Sequence, residues 1–149
     1  MTTAALPATG TPIAPRWATW MTLWVEATLV FGVAMVAWKG ISGDLYNWVL
    51  FGSTSTPAAF SPEAVDYQRM LFAVLGAVLI GWMVLLLAVV RGPFRRGEAW
   101  AWPAVVGSVV GWYAVDSVAS VALGYPENAL VNTLMLAAGV PPLVATRPR

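Results

Sequence analysis

Five residues capable of acid–base, ion-pair or hydrogen-bond chemistry stand in or beside long apolar stretches of this 149-residue sequence: Glu26, Arg69, Tyr113, Asp116 and Asn132. A charge near the centre of a bilayer costs at least ~2.5 kcal/mol on insertion scales, so each charged side chain there needs a partner or a purpose. Brought together, an acid and a base in such a setting could form an ion pair, hold a polar or cationic molecule, or pass a proton.

The helical rise sets the expected depth of these side chains. Glu26 lies near the middle of its apolar run, whereas Asp116 lies roughly 6 Å nearer the outer surface at ~1.5 Å per residue. Asn132 has a similar height, and Arg69 stands at the outer mouth with a side chain long enough to reach inward. We predict that Arg69 pairs with Asp116 and that Asn132 bonds to either. Glu26 then lies below this outward-opening polar cluster, and Tyr113 joins its rim.

Two readings of this predicted cluster stay open. In the first, the pair of Arg69 and Asp116 is structural, Asn132 holds two helices together, and Glu26 is protonated because a neutral acid is cheaper to bury. In the second, the cluster lines a cavity for a polar or cationic molecule, or Glu26 takes part in a coupled proton step. A membrane enzyme ranks third, since no nucleophile–base pair is visible and no catalytic residue is predicted.

Two residue types are absent from the sequence, and their absence limits the kinds of catalysis and metal binding to be expected. The sequence has no cysteine and no histidine, the residues that supply most thiolate, haem and transition-metal ligands. We therefore expect no cofactor and no metal site. The net charge is +1, and no basic patch is interleaved with aromatic residues in a soluble segment, so no nucleic-acid partner is expected.

The elements that must position the polar residues are membrane spans. Only 10% of the residues are charged and 59% are hydrophobic, whereas soluble domains carry roughly 25% charged residues. The uncharged stretch from Leu71 to Val90 is long enough to cross a hydrocarbon core of ~30 Å, and a helix satisfies its own backbone there. The sequence predicts an all-α fold with four spans, at about 17–38, 67–91, 100–123 and 127–145.

The distribution of basic residues predicts the orientation. One side of the predicted membrane domain carries six arginines and the other side carries Lys39 and Arg69; the six are Arg16, Arg91, Arg95, Arg96, Arg147 and Arg149. By the positive-inside rule, both termini are cytoplasmic. We therefore predict an antiparallel four-helix transmembrane bundle spanning 17–146, with a flexible tail at 1–16 and a basic tail at 147–149.

Two signals precede the second span. Asp44–Phe51, in the first extracytoplasmic loop, has the amphiphilic aromatic content of an interfacial segment at the headgroup level. Ser61–Glu63 is typical of a helix start, with a hydroxyl N-cap, a proline at the first position and an acid in the first turn.

Three further signals predict where the later helices end. Gly92–Pro93 predicts a break at the start of a short basic loop covering 91–98. Gly124–Pro126 predicts a tight outer turn. Pro141–Pro142 predicts that the last span is kinked or ends near its inner end.

Small residues recur every fourth position in two of the spans. Ala73, Ala77 and Gly81 form one such stripe, and Gly107 and Gly111 form a G-x-x-x-G pair. Such stripes let another helix approach closely, either within the bundle or in a second copy. We predict intramolecular packing. The expected partners are membrane lipid and, as an open alternative, a homo-oligomer or a larger membrane complex.

Two segments carry a family resemblance, LFAVLGAVLIGWMVLLLAVVRGPFRRGEAW and WYAVDSVASVALGYPENALVN. They resemble small bacterial four-helix membrane proteins of the DoxX-like kind, which implies a multi-pass protein of the bacterial plasma membrane. Some members are linked to oxidoreductase complexes, in which this chain would be an accessory subunit. Glu26 superficially matches the essential glutamate of small multidrug transporters, but the long first loop and Asp116 depart from that pattern.

The sequence thus favours a non-enzymatic accessory or structural membrane protein. The alternative is a small-molecule or proton-coupled transporter or binding protein that uses the polar cluster around Asp116 and Glu26.

Overall fold

The computed structural model describes residues 10–37, 39–55 and 57–148, and within them it contains helices and no strand. The α-helices are α1 (Pro15–Ala37), α2 (Lys39–Phe51), α3 (Pro62–Val89), α4 (Ala101–Ala122) and α5 (Pro126–Ala145). The predicted all-α class is confirmed. Most of the predicted N-terminal tail lies outside the described residues, as does Trp38 at the end of the first predicted span.

Four of these helices are long and apolar enough to cross a membrane, as predicted. They are α1, α4, α5 and the segment from Pro62 to Phe94, in which α3 continues through a short π-helical turn for a total of 33 residues. Helix α3, which forms the second predicted span, begins where the sequence indicates. The Ser61 side chain caps it by accepting a hydrogen bond from the Ala64 N–H at 3.3 Å. Pro62 occupies the first helical turn, where its missing N–H has no consequence.

The break predicted at Gly92–Pro93 is wrong. The helix continues to Phe94 as a π-helical turn, Val90–Phe94, with Pro93 inside it. Pro93 has no N–H to donate, so the regular hydrogen-bond ladder lapses at this point. A hydrogen bond between residues five apart, from the Arg95 N–H to the Val90 carbonyl at 3.2 Å, replaces the regular bond between residues four apart.

The predicted turn after α4 is confirmed. Gly124 has a positive φ of 86°, and the Tyr125 N–H reaches back to the Ser120 carbonyl at 2.9 Å. This is the pattern that closes a helix with glycine in the left-handed conformation.

The two prolines near the end of α5 do not end the helix, which runs on to Ala145. Pro142 cannot donate to the carbonyl of Ala138, four residues before it. The indole N–H of Trp20 on α1 donates to that same carbonyl at 3.0 Å. A side chain from a neighbouring helix therefore satisfies the backbone oxygen that the proline leaves unpaired.

The best-packed part of the bundle lies at one end, which we call the closed end. The side chains of Met21, Val25, Met83, Phe94 and Val105 are fully or almost fully buried there in one apolar cluster. Trp102 donates from its indole N–H to the Leu143 carbonyl at 2.9 Å and ties α4 to α5 at the same end. The helices pack mainly as two pairs, α1 with α3 and α4 with α5.

Helices α1 and α3 approach closely at Gly76, where an added methyl group would lie 2.7 Å from the Gly32 oxygen and 2.9 Å from Met35 Cβ. The predicted stripe through Gly81 does not make this contact, because no atom lies within 4 Å of the corresponding position there. A Cβ added at Gly107 or Gly111 would also meet no described atom within 4 Å, and both glycines are exposed, so the prediction that they pack within the chain is wrong.

Gly76→Ala should therefore destabilise the fold. The added methyl group meets backbone atoms that cannot rotate away, and overpacking of this kind costs about 1–3 kcal/mol. Thermal unfolding of the purified protein measures the effect. Gly81→Ala is the matched control on the same helix, with an expected Tm unchanged or slightly raised. Equal losses in both variants would contradict the assigned close approach.

Candidate functional site

A cavity of about 710 Å³ lies away from the closed end, and all five α-helices contribute to its lining. Its polar side chains come from α1, α2, α4 and α5: Thr28, Tyr46, Asp116, Asn128 and Asn132. Aromatic and aliphatic side chains form the rest of the wall. A mostly apolar cavity with a few convergent polar groups is the usual form of a small-molecule site.

The polar wall is centred on Asp116. Asn128 donates from Nδ2 to Asp116 Oδ1 at 3.2 Å and to Ser120 Oγ at 2.8 Å. Ser120 in turn donates to the Asp116 backbone oxygen at 2.7 Å, and its Oγ lies 3.3 Å from Oδ1. These contacts fix the carboxylate at the junction of α4 and α5. All of them are made by neutral groups.

Asn132 lies one turn along α5 from Asn128 and is 4% exposed. Its Nδ2 donates to Ser117 Oγ on α4 at 3.4 Å. An amide this buried in an apolar surrounding has to keep its hydrogen bonds. Asn132 therefore holds α4 to α5 and also presents a polar group to the cavity.

Tryptophan side chains form a rigid part of the wall. The rings of Trp82 on α3 and Trp112 on α4 lie 5.9 Å apart, and Trp82 Nε1 donates to Ser108 Oγ at 2.6 Å. Trp24 Nε1 donates to the Met135 carbonyl at 3.0 Å, which ties α1 to α5. Because these two indole N–H groups have protein partners, Trp24 and Trp82 offer the cavity mainly their apolar ring surfaces.

Helix α2 lies over the cavity and is anchored by side chains. Tyr46 stacks on Phe72 with ring centroids 4.7 Å apart, and buried Asn47 accepts a hydrogen bond from Gln68 Nε2 at 3.3 Å. Burial raises the pKa of the Tyr46 phenol, and the negative charge of Asp116 raises it further. The charge of Asp116 therefore acts across the cavity on α2.

One side of the cavity opens between α3 and α4, whose backbones approach each other at few points. The two helices are joined on one side of this opening by Trp82, which contacts Ser108 and Trp112. Leu75 and Val78 both line the cavity, yet they are 53% and 66% exposed. In a helix that crosses a membrane, such apolar side chains face lipid. The cavity therefore has an apolar lateral opening.

The structure brings together some of the residues that the sequence singled out and separates others. Asp116 and Asn132 line the cavity. Tyr113 lies nearby, with its hydroxyl 3.1 Å from Thr133 Oγ1. The predicted pair of Arg69 and Asp116 is wrong, because Arg69 pairs with Asp66 at 3.1 Å, one helical turn away on α3.

Glu26 is also not part of the cavity wall. Its carboxylate forms an ion pair with Arg91, the residue that begins the predicted basic loop. Arg91 follows the apolar run of α3 and reaches back toward α1, as long basic side chains at membrane boundaries do. In the sequence, Arg91 indicates only the orientation of the chain, and no local pattern predicts its pairing with Glu26.

The lining residues that the sequence analysis left out of the cluster are chiefly Trp24, Tyr46, Trp82 and Asn128. Only Asn128 carried a usable signal, since it lies one helical turn from Asn132 on the same face. The others belong to three different helices, and the periodicity of one sequence does not predict which residues of different helices lie close together.

Comparison with known proteins adds no relative: no protein family matches the chain, and neither a curated protein nor a solved structure matches it.

Glu26→Gln and Arg91→Gln should each lower the Tm, because each removes one partner of the ion pair that joins α1 to the segment following α3. The double variant should lose less than the sum of the two single losses, since the two residues act as a pair. Arg95→Gln is the matched control with little expected effect, since Arg95 forms none of the ion pairs found among the described residues. Strictly additive losses would contradict the pairing.

Asp116→Asn should lower the pKa of Tyr46 while leaving it above that of an ordinary tyrosine, because burial remains. The phenolate absorbance of the protein minus that of Tyr46→Phe, followed against pH, measures this change. In the wild type, the free energy of unfolding should fall as the pH rises above the ordinary tyrosine pKa, since the unfolded chain loses this proton first. An unchanged Tyr46 pKa in Asp116→Asn would contradict the electrostatic contact.

Proposed function

We propose that this chain is an integral membrane protein that binds an apolar or amphiphilic small molecule in the cavity between its five helices. The observation that carries the proposal is the cavity itself, whose wall combines large apolar surfaces with the hydrogen-bonded group of Asp116, Asn128 and Asn132. Its volume of about 710 Å³ falls within the range of ~300–1,000 Å³ for small-molecule sites.

The quality of packing elsewhere in the bundle supports this reading. The side chains of the closed end are packed without exposure, with Met21, Met83 and Val90 each at 0%. Protein interiors are generally packed as tightly as organic crystals. A bundle that packs one end this tightly and leaves a large cavity beyond it is suited to binding a ligand.

The purely structural reading of the polar residues receives less support. Its ion pair between Arg69 and Asp116 is absent, since Arg69 is engaged with Asp66 instead. Its other part, in which Asn132 holds two helices together, agrees with the hydrogen bond from Asn132 to Ser117. Coupled proton transfer through Glu26 is also disfavoured, because Glu26 pairs with Arg91 away from the cavity wall. The geometry therefore favours ligand binding at Asp116 over a structural role or a proton step at Glu26.

The proposed setting is a bacterial plasma membrane, crossed by four antiparallel helices with both termini in the cytoplasm. The distribution of arginines supports this orientation, with Arg91, Arg95 and Arg96 at the closed end. Helix α2 would then lie at the outer headgroup level and cover the outward side of the cavity. The proposed similarity to DoxX-like proteins agrees with this layout, and an accessory role in a larger membrane complex would use the same site.

Val131→Trp should abolish binding of a probe in the cavity, because Val131 lines it and the larger side chain occupies the space. Nile red, a neutral lipophilic dye, is titrated into the protein in nanodiscs of zwitterionic lipid. The saturable fluorescence is taken after subtraction of protein-free nanodiscs.

The matched control is Leu130→Trp, which adds a tryptophan to the same helix at a position that is 62% exposed. Saturable binding in the wild type and in Leu130→Trp, with loss in Val131→Trp, supports the proposal. Absence of saturable binding in the wild type, or equal binding in all three proteins, would overturn it.

A further inference from the structure

Among the described residues, the charge on the cavity wall has one sign. Asp116 is the lining residue with a formal charge, and neither lysine nor arginine is among the described residues of the wall. The ion pairs of the described chain are formed elsewhere, by Glu26 with Arg91, by Asp66 with Arg69 and by Glu98 with Arg96. Within the described residues, Asp116 thus has no positively charged protein partner.

The hydrogen bonds to Asp116 orient the carboxylate without compensating its charge. Ser120 and Asn128 both approach the same oxygen, Oδ1. Neutral donors weaken a negative charge less than a cation does, and a carboxylate in a low-dielectric cavity attracts a positive group more strongly than it would in water.

The aromatic residues beside Asp116 favour the same type of ligand. Trp112 lies one helical turn before Asp116 on α4, and its ring is 5.9 Å from that of Trp82. Both rings line the cavity. The face of an indole attracts organic cations, most strongly where water is excluded. A carboxylate and an indole one turn apart therefore present two favourable surfaces to the same cationic group.

The remainder of the wall is suited to a hydrocarbon body. Phe31, Met35, Leu79 and Met135 contribute apolar surface along the cavity. Val78, which is 66% exposed at the lateral opening, extends this surface toward the bilayer. A molecule dissolved in lipid could pass between α3 and α4 without crossing a polar barrier.

We propose, resting on the binding function above, that the ligand is a membrane-soluble amphiphile with an organic cationic head. The head lies against the Asp116 carboxylate and the Trp112 ring, and the apolar body extends toward Phe31 and Met35. Entry is lateral, from the lipid, through the opening at Leu75 and Val78.

Two dyes with the same fused ring system test the charge preference. Nile blue is cationic at neutral pH and Nile red is neutral, and both are titrated into nanodiscs of zwitterionic lipid containing wild type or Asp116→Asn. The substitution should lower the ratio of Nile blue affinity to Nile red affinity roughly tenfold or more, because the cationic dye alone loses a countercharge. Thermal unfolding checks that Asp116→Asn is folded.

A second measurement needs only the wild-type protein. Tetraphenylphosphonium and tetraphenylborate share one shape and carry opposite charges. The phosphonium should displace bound Nile red, and the borate should not, although both ions enter lipid.

The outcomes separate this inference from the function on which it rests. Selective loss of Nile blue in Asp116→Asn, with displacement by the phosphonium alone, supports the inference. Saturable Nile red binding that Val131→Trp removes, combined with equal effects of the two ions and an unchanged Nile blue affinity in Asp116→Asn, overturns the cationic preference and leaves the binding function standing. Absence of saturable binding of both dyes overturns both proposals.

Discussion

The bundle depends on one constraint: a polar atom in the hydrocarbon region has to find its partner within the protein. The clearest case is the carbonyl of Ala138, which Pro142 leaves without an intrahelical donor and which Trp20 satisfies from α1. The same rule places the indole of Trp102 on the Leu143 carbonyl near the end of α5. Tryptophans of this chain therefore act as hydrogen-bond donors between helices. Pro142, which would weaken an isolated helix, frees the carbonyl that links α5 to α1.

This constraint also explains why the polar residues fall into separate groups. Glu26 and Arg91 neutralise each other between α1 and the end of α3. Arg69 is satisfied locally by Asp66, since residues three apart are neighbours on a helix surface. Asp116 is left with the neutral donors of Ser120 and Asn128. In the part of the chain that the structure describes, these acids and bases form pairs, and Asp116 is the one carboxylate that lines the cavity. The proposed ligand preference depends on this asymmetry.

Much of the fold is predictable from the sequence because the signals are local. The apolar length of each span, the cap at Ser61 and the turn at Gly124 are properties of a few neighbouring residues, and all three are found where expected. The candidate site is less predictable. Asp116 and Asn132 could be picked out because polar residues are rare in apolar runs, and the local partner of Arg69 could have been read from the spacing of Asp66. The contribution of Tyr46 to the cavity could not be predicted from the sequence, because it depends on how α2 packs over the other helices.

The lateral opening between α3 and α4 has a consequence for how strongly the proposed site needs to bind its ligand. A hydrophobic molecule accumulates in the membrane, so a site that opens into lipid meets it at a local concentration far above that in the surrounding water. Much of the free energy of transfer from water is then gained on partitioning, before the protein is reached. Under the proposed function, the cavity has to supply selectivity among molecules already dissolved in the bilayer, and a few well-placed polar groups in an apolar wall are sufficient for that.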